Sequence, residues 1–149
     1  MLDVGGAMGD TALYASYLYP KTHIDVFEPN PESYRLLQKN IKENDFKNVS
    51  SHNFAVGTKE SYQFYISSQN VRSSFQKDKY SLKKITVKGT RLDSYIKGTI
   101  DLLKIDCEGG ELDVLESISE ASYKKINKMV LEYHNHLVKD QDKKITAYL

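Results

Sequence analysis

The chain has 149 residues, room for one domain of ordinary size. Its 21 Lys and Arg against 20 Asp and Glu leave a formal net charge of +1, too little for the basic field of a nucleic-acid binder or a polybasic membrane patch. One cysteine, Cys107, excludes an internal disulfide, and no apolar run is long enough to span a bilayer. The segment from Met1 to Gly6 lacks the basic and apolar regions of a signal peptide, so the expected location is cytoplasmic.

Short apolar runs alternate with amphipathic stretches, which predicts an α/β fold around a mostly parallel sheet. Met1 to Val4 reads as the end of a first strand. Asp10 is placed to cap a helix from Thr11 to Leu18, with Leu13, Tyr14, Tyr17 and Leu18 inward and Pro20 as the stop. His23 to Phe27 reads as a second strand. Asn30-Pro31 starts a helix to about Asn44, with Tyr34, Leu37 and Ile41 as its apolar stripe. Val49 to Ala55 reads as a third strand, polar for a buried one.

From Gly57 to Gly89 the chain carries Ser67, Ser68, Ser73 and Ser74, scattered charge, and alternation at Tyr62, Phe64 and Ile66. This predicts an antiparallel insertion plus a loop within a single domain spanning 1–149. Leu92 to Ile96 reads as a short helix, and Ile100 to Cys107 as the strongest strand. A helix follows over Glu111 to Ile118, a fifth strand over Met129 to Tyr133, and a frayed helix from Lys139.

Asp3-Val4-Gly5-Gly6-Ala7-Met8-Gly9-Asp10 lies between a predicted strand and helix. Glycines there allow a ligand close to the backbone, and the helix N-terminus offers free N–H groups. A dinucleotide fingerprint from Gly5 needs glycine at positions 7 and 10, where Ala7 and Asp10 stand. That pattern therefore fails. The absent glycine and the acidic Asp10 suit a ligand without a pyrophosphate, such as a cationic sulfonium with an amino-acid tail. Glu28, at the end of the second strand, is positioned to accept from both hydroxyls of a ribose.

Lys104, Asp106 and Glu108 share period two along the strongest strand and its exit. They therefore tend toward one face, near the strand ends where open α/β sheets bind ligands. Cys107 between them reads as a small apolar residue. Glu132 and His134 follow the fifth strand and suit proton transfer or a divalent cation, though two histidines at 134 and 136 are a weak ligand motif. His23 and His52 have no company that suggests a role.

Together these segments resemble the FkbM family of methyltransferases. The resemblance rests on Asp3-Val4-Gly5 with Gly9, Phe27-Glu28-Pro29-Asn30-Pro31, Ala55-Val56-Gly57, Ser73-Ser74 and Leu92-Asp93-Ser94-Tyr95-Ile96. It rests also on Glu111-Leu112-Asp113-Val114-Leu115, Leu131-Glu132-Tyr133-His134 and, most specifically, Leu103-Lys104-Ile105-Asp106-Cys107-Glu108-Gly109. It implies a Rossmann-like class I methyltransferase sheet in three α/β/α layers, seven-stranded in the family and here truncated at both ends. It also implies S-adenosyl-L-methionine as donor and a hydroxyl acceptor on a sugar, glycan, lipid or natural product. By position, Asp3, Gly5 and Gly9 would contact the amino-acid end of the cofactor and Glu28 the ribose. Asn53 to Ala55 would lie near the adenine, and Asp106 near the sulfonium. Gly6 and Ala7 stand where the family usually has Ala-Asn.

Methyl transfer from a sulfonium is an in-line displacement that depends on placement of the acceptor oxygen and on a base beside it. The candidates are Asp106, Glu108, Glu132 and His134, with His134 or Glu108 favoured and Asp106 occupied by cofactor. No metal is required. A non-catalytic cofactor-binding or interaction module of the same fold is the alternative. A nicotinamide oxidoreductase is disfavoured by Ala7 and Asp10.

Overall fold

A computed structural model describes residues 1–67, 74–77 and 80–149. In chain order the elements are β1 (Leu2–Val4), α1 (Asp10–Leu18), β2 (Ile24–Phe27), α2 (Pro31–Glu43), β3 (Val49–His52) and β4 (Ala55–Val56). Then come β5 (Ser61–Ser67), β6 (Ser81–Thr90), a 3-10 turn (Leu92–Tyr95), β7 (Leu103–Ile105), α3 (Glu111–Glu116), α4 (Glu120–Tyr123), β8 (Met129–Leu131) and α5 (Gln141–Tyr148). Ser68 and Ser73 lie outside the described residues.

Five strands form a parallel sheet in the order β3-β2-β1-β7-β8. The winding direction reverses between β1 and β7, where Val4 pairs with Ile105. That reversal opens a crevice beyond the strand ends, the expected place for a ligand. Leu2, Val4, Leu103 and Ile105 face a core completed by Val114, Leu115, Ile118 and Ile145. Ile24 and Val26 face the opposite layer, against Ala12 and Leu37. The result is an α/β/α sandwich. The seven-strand sheet that the resemblance implies is five-stranded among the described residues.

Several local expectations need correction. The N-cap of α1 is Gly9, at φ 100°, and Asp10 makes no capping bond. The inner face of α1 is Ala12 and Ser16, while Tyr14, Tyr17 and Leu18 are 66%, 73% and 46% exposed. Ala12 packs there against Ile24, Val26 and Leu37. Ser16 Oγ then donates to Asn48 Oδ1 at 2.6 Å, which pins that face. In α2, Asn30 does cap by accepting from Glu32 N, with proline at the helix start.

The expected strand from Val49 to Ala55 splits at Asn53-Phe54. Its first part is the sheet edge, which explains its polarity. Its second part, β4, joins a separate sheet of order β4-β6-β5, whose β5 and β6 pair antiparallel from Ser61↔Lys88 to Ser67↔Ser81. The strands expected over Ile100 to Cys107 and Met129 to Tyr133 shrink to three residues each. The helix expected to reach Ile118 stops at Glu116, because Ser117 Oγ donates back to Val114 O at 2.6 Å. α5 is docked rather than frayed: Ile145 is buried, and Tyr148 Oη donates to Leu115 O at 3.0 Å.

Candidate active site

The glycine turn crosses the reversal point of the sheet. Gly5 and Gly6 both donate their N–H to Phe27 O at 3.0 Å, and Asp106 N donates to Val4 O at 3.0 Å. The turn is thus pinned to the ends of β2 and β7. Gly5 sits at φ 84°, and a Cβ there would lie 1.7 Å from Asp106 O. Only glycine fits, on both counts.

Glu28 closes the other side of the turn. Its Oε2 accepts from Ala7 N at 2.8 Å and its Oε1 from Asn30 N at 2.7 Å. Ala7 takes a left-handed conformation, φ 45°, to present that N–H. Burial pushes the Glu28 carboxyl up to about 7, against the pull of the two backbone hydrogen bonds. Each oxygen keeps a second lone pair for a further donor.

Gly5, Ala7, Glu28, Pro29, Ser33, Phe64, Phe75, Asp106, Cys107 and Glu108 line one cleft of about 100 Å³. Four residues named from the sequence therefore meet here: Gly5, Glu28, Asp106 and Glu108. Asp3, Gly9, Asn53 and Ala55 do not border it. Gly9 packs under α1 against Leu37. Asn53 donates to Glu28 O at 2.7 Å and lines a neighbouring groove with Tyr34 and Ile85. Ala55 is sealed into the hairpin core beside Phe64 and Val87.

Asp3 is fully buried below the turn, and among the described residues neither of its carboxylate oxygens accepts a hydrogen bond. Lys104 Nζ stands 3.5 Å from Asp3 Oδ1 and 3.3 Å from Asp106 Oδ2. Burial raises the Asp3 pKa despite that ammonium. Lys104 is therefore the counter-ion of two strand-end carboxylates. Burial also pushes the Cys107 thiol well up, with the charges of Glu111 and Asp106 adding to it, which argues against a nucleophile.

Beside the cleft, His134 gathers carboxylates from three segments. Its Nε2 lies 3.6 Å from Glu108 Oε2, 3.9 Å from Asp106 Oδ1 and 3.9 Å from Glu132 Oε1. Its Nδ1 is 2.8 Å from Glu111 Oε1. Glu111 Oε1 also accepts from Gly109 N at 3.1 Å, and Gln141 Nε2 donates to Glu111 Oε2. Gln141 Oε1 in turn accepts from His134 N at 2.7 Å. Burial works against a charged imidazole, yet the Glu111 hydrogen bond and the charges of Glu108, Glu111 and Asp106 outweigh it and raise the His134 pKa. Glu108, at φ 50°, is raised chiefly by burial, opposed by His134 and reinforced by Asp106.

Sequence reasoning missed Glu111 and Gln141 as parts of the site. A signal existed for Glu111: it shares the inward stripe of α3 with Val114 and Leu115, where a carboxylate is out of place unless paired. Gln141 carried no such signal.

The family model described as "Methyltransferase FkbM domain" matches residues 3–149. "Methyltransferase 1" of Beauveria bassiana (strain ARSEF 2860) is 25% identical over 157 aligned residues, covering 89% of this chain and 63% of that protein. "Methyltransferase sdnD" of Sordaria araneosa is 25% identical over 169 aligned residues, covering 89% of this chain and 65% of that protein. The chain thus spans just under two thirds of the length of these curated relatives. A crystal structure of methyltransferase FkbM from Methylobacillus flagellatus KT superposes with a TM-score of 0.67 at 14% identity, over 99% of this chain and 36% of that one. The likeness in structure bears on the fold, and the family model on membership: the chain belongs to the FkbM methyltransferase domain family.

Proposed function

We propose that the cleft binds S-adenosyl-L-methionine and that the domain methylates a hydroxyl of a small molecule, glycan or lipid. The observation that carries this reading is the bonding of Glu28 to both the glycine turn and the start of α2, with Asp106 and Glu108 across the same cleft. The donor chemistry fits. Glu28, Asp106 and Glu108 line the cleft, and the Lys104 ammonium is held between Asp106 and buried Asp3, a balance that favours a cationic ligand and disfavours a pyrophosphate.

In this reading the cofactor supplies an electrophilic methyl group. Glu28 accepts from the ribose hydroxyls, and the Gly5 turn supports the amino-acid end. Glu108 borders the cleft whereas His134 sits behind it, so Glu108 is the group that takes the acceptor's proton. Burial raises its pKa, which makes it a stronger base. Among the described residues no helix is long and apolar enough to cross a membrane.

Calorimetric titration with S-adenosylhomocysteine, followed by an acceptor screen for methylated product, tests the reading. Saturable binding lost in Glu28→Ala supports the cofactor site. Product formation that survives Glu108→Gln unchanged removes Glu108 as the base. A folded wild-type chain that binds no S-adenosylhomocysteine overturns the whole proposal.

A further inference from the structure

We propose that Asp106, Glu132 and His134 form a divalent-cation site at the edge of the cleft, with Glu111 as the carboxylate that orients the imidazole. One donor atom from each of the three lies within 4.8 Å of the others. A small divalent ion holds nitrogen and oxygen donors at about 2.0–2.2 Å, so donors sharing it sit roughly 3–4 Å apart. His134 Nε2 is 3.9 Å from Asp106 Oδ1 and 3.9 Å from Glu132 Oε1, too far for a hydrogen bond and within that span.

The imidazole is built for this use. Its side chain is only 9% exposed. Nδ1 lies 2.8 Å from Glu111 Oε1, a hydrogen bond that holds the proton on Nδ1 of the neutral imidazole and turns Nε2 toward the carboxylates, where the ion would replace any Nε2 proton. Nε2 itself has no hydrogen-bond partner among the described residues, its nearest carboxylate oxygen being 3.6 Å away on Glu108. Glu111 is held in turn by Gln141 and the Gly109 amide. Four carboxylates, Asp106, Glu108, Glu111 and Glu132, thus meet one imidazole, and of the four only Asp106 also pairs with the Lys104 ammonium. A dication offsets the surplus negative charge.

One imidazole and two carboxylates suit Mn²⁺ or Zn²⁺ better than Ca²⁺, which prefers six to eight oxygens. The open positions would take water or the acceptor's hydroxyl, whose pKa the ion lowers, with Glu108 left free to receive the proton. That use rests on the methyl-transfer reading, whereas the binding of the ion does not.

The test is titration of the chelator-treated chain with MnCl₂, without cofactor or acceptor. Heat and the electron-spin signal of free Mn²⁺ are both followed. One saturable site is expected, with substoichiometric Mn²⁺ broadening the His134 ring resonances. Glu132→Gln, at an exposed position that does not endanger folding, weakens binding by about tenfold or more, and His134→Ala removes it. The proposal is overturned by absent saturation, by a His134 signal that stays sharp at saturation, or by Glu132→Gln binding as wild type. A failed methyl-transfer reading looks different: S-adenosylhomocysteine does not bind while Mn²⁺ does.

Discussion

Glu28 Oε2 lies 2.8 Å from the Ala7 amide, so the carboxylate expected to hold a ribose is also the strut that holds the glycine turn. The two sides of the cleft are therefore one hydrogen-bonded unit. Residue 7 enters it through its backbone, and an asparagine side chain is not needed for this contact.

This dual role makes pH act in opposite directions on stability and on binding. The Glu28 carboxyl rises from 4.5 to about 7 on folding. A raised acid favours the folded state fully below its unfolded value, and that contribution is lost as pH climbs through the folded value. Stability of the free chain should fall by on the order of 3 kcal/mol between about pH 4.5 and 7 from this residue. Affinity for S-adenosylhomocysteine should rise over the upper part of that window, because hydroxyls donate best to the ionised carboxylate. Urea denaturation and calorimetry at stepped pH check both. In Glu28→Gln both trends should flatten.

Gly5→Ala should prevent stable folding of the turn. Its Cβ would fall 1.7 Å from Asp106 O, a backbone atom, at a φ of 84°. Relief requires β1 and β7 to separate, and the cost should exceed about 3 kcal/mol by chemical denaturation. A variant as stable as wild type would contradict the described register.

Glu111→Ala should cost roughly 3–5 kcal/mol, the scale for breaking a buried charged network. It strips the acceptor from His134 Nδ1, Gln141 Nε2 and the Gly109 amide together. Glu132→Ala, on a side chain 70% exposed, should change stability by less than about 0.5 kcal/mol. Thermal melts of the two variants, run side by side, separate the anchoring carboxylate from the solvent-facing one.

Phe75 should limit cofactor entry. The cleft of about 100 Å³ is smaller than the roughly 300 Å³ at which ligand pockets begin. Phe75 narrows it, packing edge-on to Phe64 at 5.2 Å and to Tyr62 at 5.5 Å between ring centres. Phe75→Ala should raise the association rate of S-adenosylhomocysteine by about tenfold, as expected if a minor open state admits the ligand. Stopped-flow kinetics would show it, and an unchanged rate would assign entry to another path.

What the sequence alone determined was local. A strand, a glycine turn and a helix follow one another from Leu2 to Leu18 because strand patterning and a glycine-bearing turn are written within eighteen residues. The Asn30-Pro31 helix start is equally local, since one side chain caps a neighbouring amide. Glu28 and Asp106 could be assigned to strand ends for the same reason. Tertiary structure decided the rest. The buried face of α1 is set by how the helix is seated on the sheet, which turns Ala12 and Ser16 inward and leaves Tyr14 and Tyr17 exposed. The break at Asn53 depends on the far end of the β5-β6 hairpin, where Gly89 and Thr90 pair with Ala55 and Val56 and not with the main sheet. The contact of His134 with Glu111 spans 23 residues, and that of Gln141 with Glu111 spans 30. Such meetings follow from which strand ends lie side by side after folding, a relation that no spacing along the chain encodes.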